Sequence, residues 1–327
     1  MAGTISPYKT NRRSAQVGGG PAGGRDTSGG RRTSGLGRKV RDNLSAHGFL
    51  FGALLCFGFF TWYPMVREVV MSFQKTKRGK TTWVGFDNLD RIFKDPDFWH
   101  AWRNTFLFTA LALLLGFALP FLVAVLLNEL RHAKAYLRIL VYIPVMMPPV
   151  AVVLLFKYFY NPEYGLFNDI LKTLHLPTSA WLNSPSTAMV SVVIAATWMN
   201  MGGATLIYLA ALQGIPGELY EAADLDGAGL LRKVWHVTIP QTRLILSLLL
   251  LLQIVSTMQV FVEPFLLTGG NGPQNSTMTV VYLVYEYAFD LGGNNYGVAS
   301  ALGLVMLVVL AGFSALYARL SRDNDND

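Results

Sequence analysis

The stretch Glu221-Ala222-Ala223-Asp224-Leu225-Asp226-Gly227-Ala228 lies between two long apolar runs, and Pro240 follows thirteen residues after Gly227. Three carboxylates within eight residues are costly in hydrocarbon, so the stretch belongs outside any membrane that its flanks enter. The fold therefore depends on whether the flanking runs cross a membrane, and the function depends on the side of that membrane on which the stretch lies.

The composition is that of a membrane protein. Of the 327 residues, 52% are hydrophobic and 14% are charged, against about 25% charged residues in soluble domains. Several apolar runs reach the roughly 20 residues that a helix needs to cross a bilayer, which excludes a large soluble all-α protein. We expect a multi-pass, all-α membrane protein of the cell (cytoplasmic) membrane, surrounded by lipid bilayer.

Six transmembrane helices are predicted. They cover residues 47–73, 104–127, 137–160, 187–212, 244–267 and 298–320. The prolines inside these spans, which are Pro120, Pro144, Pro148 and Pro149, are expected to kink helices more than break them, because neighbouring helices compensate freed carbonyls. Cys56 is the one cysteine, so no disulfide or cysteine metal site is expected, and its place in an apolar run favours a buried, unreactive thiol.

Basic residues indicate the orientation of the spans. Nine of the 27 Lys and Arg residues precede the first span, whereas the loop 268–297 contains none. This pattern predicts that both termini are cytoplasmic, and it argues against nucleic acid as the partner of the positive charge. Residues 1–43 are rich in Gly, Ser, Thr and Arg and predict a disordered basic tail, with Arg31-Arg32 as a weaker hint of an export signal. The opening stretch then lies in a cytoplasmic loop, residues 213–243.

Local signals predict two short helices in this loop. Pro216 suits a first helical turn, and Glu221 lies near the positive end of that helix. Asp226 is expected to cap a second helix, Gly227 to permit a sharp change of direction, and Pro240 to end the second helix. The form suits docking of another protein, although an ordinary amphipathic loop fits the residues as well.

Enzyme chemistry finds little support in the sequence. The five histidines are scattered, without a ligand spacing, and no metal site is expected. No Gly-x-x-x-x-Gly-Lys-Ser/Thr motif is present, so we expect neither an enzyme nor ATP binding by this chain.

The polar side chains inside the spans are mostly neutral. Candidates for a substrate pathway are Trp198, Asn200, Gln253 and Gln259. They suit a pore for a neutral hydroxylated solute, and hydrogen bonds between helices explain them equally well. An ion-coupled secondary carrier is the main rival, but Lys157 and Glu263 are placed toward the outer ends of their spans, away from mid-membrane.

The cytoplasmic stretch resembles the signature loop of ATP-binding-cassette (ABC) importer permeases. The matching residues are Glu221, Ala222, Ala223, Asp226, Gly227, Ala228 and Pro240. Further segments are similar to the carbohydrate-uptake branch, the maltose and glycerol-phosphate type, and they occur in the expected order. These segments are 85–89, 95–99, 165–168, 209–220 and 267–273.

The resemblance implies a type-1 ABC importer transmembrane domain that acts as half of a heterodimeric sugar pathway. It implies four kinds of partner: a second homologous permease, a cytoplasmic ABC ATPase dimer that docks on the loop, an extracellular or periplasmic solute-binding protein, and the bilayer. No cofactor is implied for this chain, because ATP is used by the partner subunit. A glycerol-phosphate-like solute is an alternative to an oligosaccharide.

Four regions follow from this interpretation. The expected divisions are a tail at 1–43, a first helix and outer loop at 44–103, a permease core at 104–320 with its coupling loop at 213–243, and a short cytoplasmic tail at 321–327.

Overall fold

The computed structural model describes residues 50–77, 80–129, 134–290 and 295–324. The predicted disordered tail, residues 1–43, lies outside the described residues. The described residues up to Phe59 group as one compact unit, and the described residues from Phe60 onward group as a second.

The described residues are almost entirely helical. In chain order the helices are α1 (Leu50–Ser72), α2 (Asp87–Lys94), α3 (Pro96–Glu129), α4 (Lys134–Met146), α5 (Pro149–Phe159), α6 (Leu166–Thr173), α7 (Pro185–Gln213), α8 (Gly217–Leu225), α9 (Leu230–Met258), α10 (Val262–Thr268), α11 (Val280–Tyr285) and α12 (Tyr296–Asn324). Within the described part, α1, α3, α7, α9 and α12 are long and apolar enough to cross a membrane, and a bent pair formed by α4 and α5 makes up to six spans. The predicted all-α fold with six transmembrane helices is confirmed.

The third span is broken, which corrects the expectation of kinks at its prolines. Its two halves meet at an angle of 98°. Pro149 opens α5, and Pro148 before it is extended, with ψ of 131°. A residue that precedes proline is pushed out of helical geometry, so two consecutive prolines interrupt the helix. Pro120 and Pro144, by contrast, lie inside the continuous helices α3 and α4.

The fifth span is shifted from its predicted limits of 244–267. Helix α9 begins at Leu230 and ends at Met258, so Pro240 does not end a helix as expected. A π-helical turn at Val234–Thr238 directly precedes the α-helical segment in which Pro240 occupies the first turn. Because a π turn changes the hydrogen-bond register, the helix continues past a residue that has no N–H.

Asp226 does not cap the second helix either. It occupies the C-terminal cap of α8, and Gly229 precedes α9. The change of direction at Gly227 is confirmed by its positive φ of 70°.

The first outer loop is folded. Strands β1 (Gln74–Lys77) and β2 (Lys80–Trp83) form an antiparallel hairpin, with Gln74 opposite Trp83. The Asn88 side chain in α2 donates to the carbonyl of Ser72 at 2.8 Å and to that of Gln74 at 2.9 Å. These bonds fix α2 against the end of α1, and α3 starts at Pro96, eight residues before the predicted span.

Helix α7 packs closely on its neighbours. A Cβ atom added to Gly202 would lie 2.4 Å from the carbonyl oxygen of Val141 in α4. Small residues allow such approach between membrane helices, where packing replaces the hydrophobic effect.

Much apolar surface faces outward. Phe60 and Leu114 are largely exposed, as expected where lipid or another subunit covers the helices. The thiol of Cys56 is exposed, which corrects the expectation of a buried cysteine. An apolar run in a membrane helix predicts a lipid-compatible environment and does not predict burial inside the protein.

Candidate functional site

The cytoplasmic stretch folds as a helix, a glycine turn and a second helix. We call residues 213–243 the coupling segment. The amide of Ala228 donates to the carbonyl of Ala223 at 2.9 Å, and the amide of Gly227 donates to that of Asp224 at 3.0 Å. With Gly227 in the left-handed region, these bonds form a Schellman motif, which satisfies carbonyls at the end of a helix. The motif explains why glycine stands at position 227.

Side chains hold the two helices of the coupling segment together. Lys233 on α9 forms a salt bridge with Asp224 on α8. The hydroxyls of Tyr220 and Thr238 lie 3.0 Å apart and share a hydrogen bond. Each of these two contacts joins a residue of α8 to a residue of α9. Together they hold the angle between α8 and the start of α9.

The coupling segment exposes large apolar side chains on its surface. Leu225 is 91% exposed, Leu231 83% and Trp235 71%. Soluble surfaces rarely expose such large side chains together unless a partner covers them.

A groove of about 560 Å³ runs beside these residues. It is lined by Leu219, Ala222, Ala223, Asp226, Ala228, Arg232, Lys233, His236 and Val237. Four of the seven signature residues thus share one groove. Gly227 forms the turn next to it, Glu221 is exposed on α8, and Pro240 lies further along α9, outside the groove lining.

A second candidate site is a cavity of about 400 Å³ among α3, α5, α7, α9 and α10. Its lining consists of Phe108, Ala112, Gly116, Pro149, Ala196, Thr197, Met199, Asn200, Met201, Ala204, Gln253, Ser256, Thr257, Gln259, Val260, Phe261, Val262 and Glu263. The volume lies in the range of small-ligand sites, which is roughly 300–1,000 Å³.

The cavity contains three of the four predicted pathway residues, Asn200, Gln253 and Gln259. Trp198 lies outside its lining and packs edge-on against Phe156, with ring centroids 5.5 Å apart. The structure therefore groups the three amides and assigns the tryptophan ring to the packing between α7 and α5.

Each of the three amides is anchored through its nitrogen. Asn200 donates to the carbonyl of Ala196 at 2.9 Å, Gln259 to that of Val255 at 3.0 Å, and Gln253 to that of Ala112 at 3.5 Å. The Gln253 contact joins α9 to α3, so it is an inter-helix hydrogen bond as well as part of the cavity lining.

Glu263 is the charged cavity residue that sequence reasoning missed. The chain leaves helical geometry after Met258, with Phe261 at φ −138° and ψ −50°, and α10 then begins with Glu263 in its first turn. Its carboxylate accepts a hydrogen bond from Asn200 at 3.3 Å. The sequence does contain a signal for this site, which is an acidic residue directly before Pro264 in an apolar run. The prediction of a continuous fifth span, however, assigns Glu263 to the outer end of that span.

The outer face carries a third polar cluster. The Tyr287 hydroxyl donates a hydrogen bond to Asp95, and the Arg91 guanidinium lies 5.8 Å from the centroid of the Tyr287 ring. Burial, followed by the negative charges of Asp97, Asp290 and Asp95, raises the pKa of the neighbouring Glu286 carboxyl. Among the described residues, no group of three or more His, Cys, Asp or Glu could hold a metal ion.

Known proteins resemble this chain over most of its length. Residues 116–325 match the family described as binding-protein-dependent transport system inner membrane component. The sulfoquinovosyl glycerol transport system permease protein SmoG of Agrobacterium fabrum is 33% identical over 87% of this chain and 92% of its own length. The arabinooligosaccharides transport system permease protein AraP of Bacillus subtilis is 32% identical over 84% of this chain and 88% of its own.

A solved structure shares the fold. The bacterial alginate ABC transporter in complex with an alginate pentasaccharide-bound periplasmic protein contains a chain with a TM-score of 0.75 and 26% identity. The match covers 88% of this chain and 97% of that one. The predicted type-1 ABC importer fold, membrane location and family are thereby confirmed: this chain belongs to the binding-protein-dependent transport system inner membrane components.

Proposed function

We propose that this chain is one permease subunit of an ATP-driven importer of sugars, with oligosaccharides as the main cargo class. The observation that carries the proposal is the rigid, apolar coupling segment combined with an amide-lined cavity in the same chain. AraP and the alginate transporter move saccharides, which supports the cargo class.

The coupling segment is the proposed docking site of a cytoplasmic ABC ATPase. Leu225, Leu231 and Trp235 supply exposed apolar area, and small residues in the groove let a partner approach the backbone. The Schellman turn and the Asp224–Lys233 pair stiffen the segment, so a push on α8 is transmitted to α9. Since α9 also lines the cavity, ATPase closure would reach the substrate pathway through one helix.

The remaining partners complete the proposed cycle. A second homologous permease forms the other half of the pathway, and a solute-binding protein delivers sugar at the outer face. Two ATPase subunits bind and hydrolyse ATP, so this chain needs no cofactor or catalytic site of its own. The permease core, residues 104–320, would then be the part that moves. The coupling segment, residues 213–243, would connect this core to the ATPase.

An ion-coupled carrier is a second candidate because Glu263 lies in the cavity. A carboxylate in a transport pathway is a common site for coupling to protons or Na⁺. A glycerol-phosphate-like solute is a further alternative within the ABC family. The energy source separates the carrier from the importer, and the cargo separates the two kinds of importer.

Variants of the coupling segment test the proposal. We expect Glu221→Ala and Gly227→Pro to abolish ATP-dependent uptake of radiolabelled oligosaccharides into proteoliposomes while leaving membrane insertion intact. Gly229→Ala is the matched control, because Gly229 has an ordinary φ of −69° and open space around it. Normal ATP-driven uptake by both variants, or wild-type uptake that follows an ion gradient without ATP, would refute the proposal.

A further inference from the structure

The charge of the cavity is set by one residue. Among the described residues that line it, Glu263 carries a formal charge and all others are neutral. Lys157, a basic residue on the neighbouring α5, is exposed and is not part of the lining. The cavity of this chain is therefore a negatively charged compartment.

The fold holds the Glu263 carboxylate in this position. The break after Met258 turns the chain so that Gln259 and Glu263 line the same space. Asn200 donates to Oε1 of Glu263 at 3.3 Å while also donating to the carbonyl of Ala196. A carboxylate accepts up to about four hydrogen bonds, so this one has acceptor capacity for solute hydroxyls.

We propose that Glu263 makes the cavity selective for neutral, hydroxylated solutes and rejects anionic sugars such as uronates. The inference rests on the proposed sugar-import function and names the charge class of its cargo. Two like charges about 6 Å apart, at an effective dielectric constant of about 20, disfavour binding about 100-fold. Hydroxyl donors of a neutral sugar, in contrast, match the carboxylate and the anchored amides.

Similar transporters differ in the charge of the sugars that they move, so individual residues must determine the charge of the cargo. AraP is named for arabinooligosaccharides, whereas the alginate transporter imports what its description calls an acidic polysaccharide. The shared fold therefore does not fix the charge of the cargo. In this chain, the lining residue Glu263 favours the neutral class.

The test measures binding without the solute-binding protein, which would select solutes by itself. Complete transporters in nanodiscs are probed with radiolabelled arabinotriose and maltotriose and with an alginate trisaccharide. We expect wild-type complexes to bind a neutral probe and to bind the uronate probe at least 10-fold more weakly. Glu263→Gln should keep neutral binding within about threefold and raise uronate binding at least 10-fold.

Two further variants keep the outcome decisive. Glu163→Gln, which removes an exposed carboxylate outside the cavity lining, should change neither probe. If Glu263→Gln fails to assemble, Gln259→Lys adds a compensating cation at an exposed cavity position and should also raise uronate binding. Equal binding of neutral and uronate probes by the wild type, no binding of a neutral probe, or an unchanged ratio in the cavity variants would overturn the inference. Absence of ATP-driven uptake by the wild-type transporter in the proteoliposome assay would instead count against the proposed function.

Discussion

At the scale of single residues, Gly227 shows how backbone geometry selects an amino acid. Its φ of 70° is rare for residues with a side chain, although a Cβ atom would meet nothing within 4 Å. The left-handed conformation costs other residues roughly 1–2 kcal/mol. The Schellman turn therefore requires glycine because of its backbone conformation, and not because a side chain would clash with neighbouring atoms. A sequence pattern could predict the turn, because glycine after a short helix is its common signal.

Glu286 provides a residue-scale prediction about pH. Its pKa is raised above the ordinary value of 4.5, mainly by burial. A carboxyl with a raised folded-state pKa stabilises the fold below its unfolded pKa, and this contribution is lost as pH rises through the folded value. The outer cluster should therefore lose stability as pH rises above about 4.5.

Glu286→Gln should remove this part of the pH dependence and raise the melting temperature at pH 7. Thermal unfolding of the purified protein from pH 4 to pH 7.5 measures both effects. Glu163→Gln serves as the control for loss of an exposed carboxylate. Identical pH slopes for wild type and Glu286→Gln would contradict a raised pKa at Glu286.

At the scale of elements, sequence predicted the spans better than their interruptions. Apolar length identified α3, α7 and α12, because hydrocarbon forces any long apolar run into a helix. No proline or glycine lies within the break after Met258, which Gln259, Val260 and Phe261 form; Pro264 follows in the first turn of α10 and is its one local signal. Such a break is stabilised by tertiary packing, which a single sequence does not display.

The same dependence on tertiary packing explains which residues of the candidate site can be predicted from the sequence. The signature residues of the coupling segment were identified because a motif is local in sequence. The sequence alone predicts that Glu263 lies near the outer end of its span, because its position in the cavity depends on the break that precedes it. An aromatic residue in a polar span suits a sugar, which makes Trp198 a candidate from sequence, whereas the fold uses its ring for packing.

The contact between α7 and α4 gives an element-scale prediction. Gly202→Ala would place a Cβ atom 2.4 Å from the carbonyl oxygen of Val141, and backbone atoms cannot swing away. Overpacking of this kind costs about 1–3 kcal/mol, so thermal unfolding should occur at a lower temperature.

The neighbouring glycine is the matched control. A Cβ atom on Gly203 meets nothing within 4 Å, and Gly203→Ala should stabilise the helix by up to about 1 kcal/mol. If both variants melt alike, the close approach of α7 to α4 is not a determinant of stability.

At the scale of the whole molecule, the coupling segment and the cavity are connected by α9. Helix α9 begins in the coupling segment at Leu230 and contributes Gln253 and Ser256 to the cavity. A rigid helix that reaches from a docking surface to a solute site is a simple means of transmitting movement. The proposed function therefore depends on whether an ATPase binds at the coupling segment.

Site-specific photo-cross-linking tests this claim most directly. A benzophenone amino acid replaces Leu225, which is 91% exposed, and in a separate variant Phe289, which is 67% exposed near the outer cluster. In membranes that contain the complete transporter, we predict an adduct with the cytoplasmic ATPase from position 225 and none from position 289. Absence of an ATPase adduct from position 225, with the transporter assembled and active, would contradict the account.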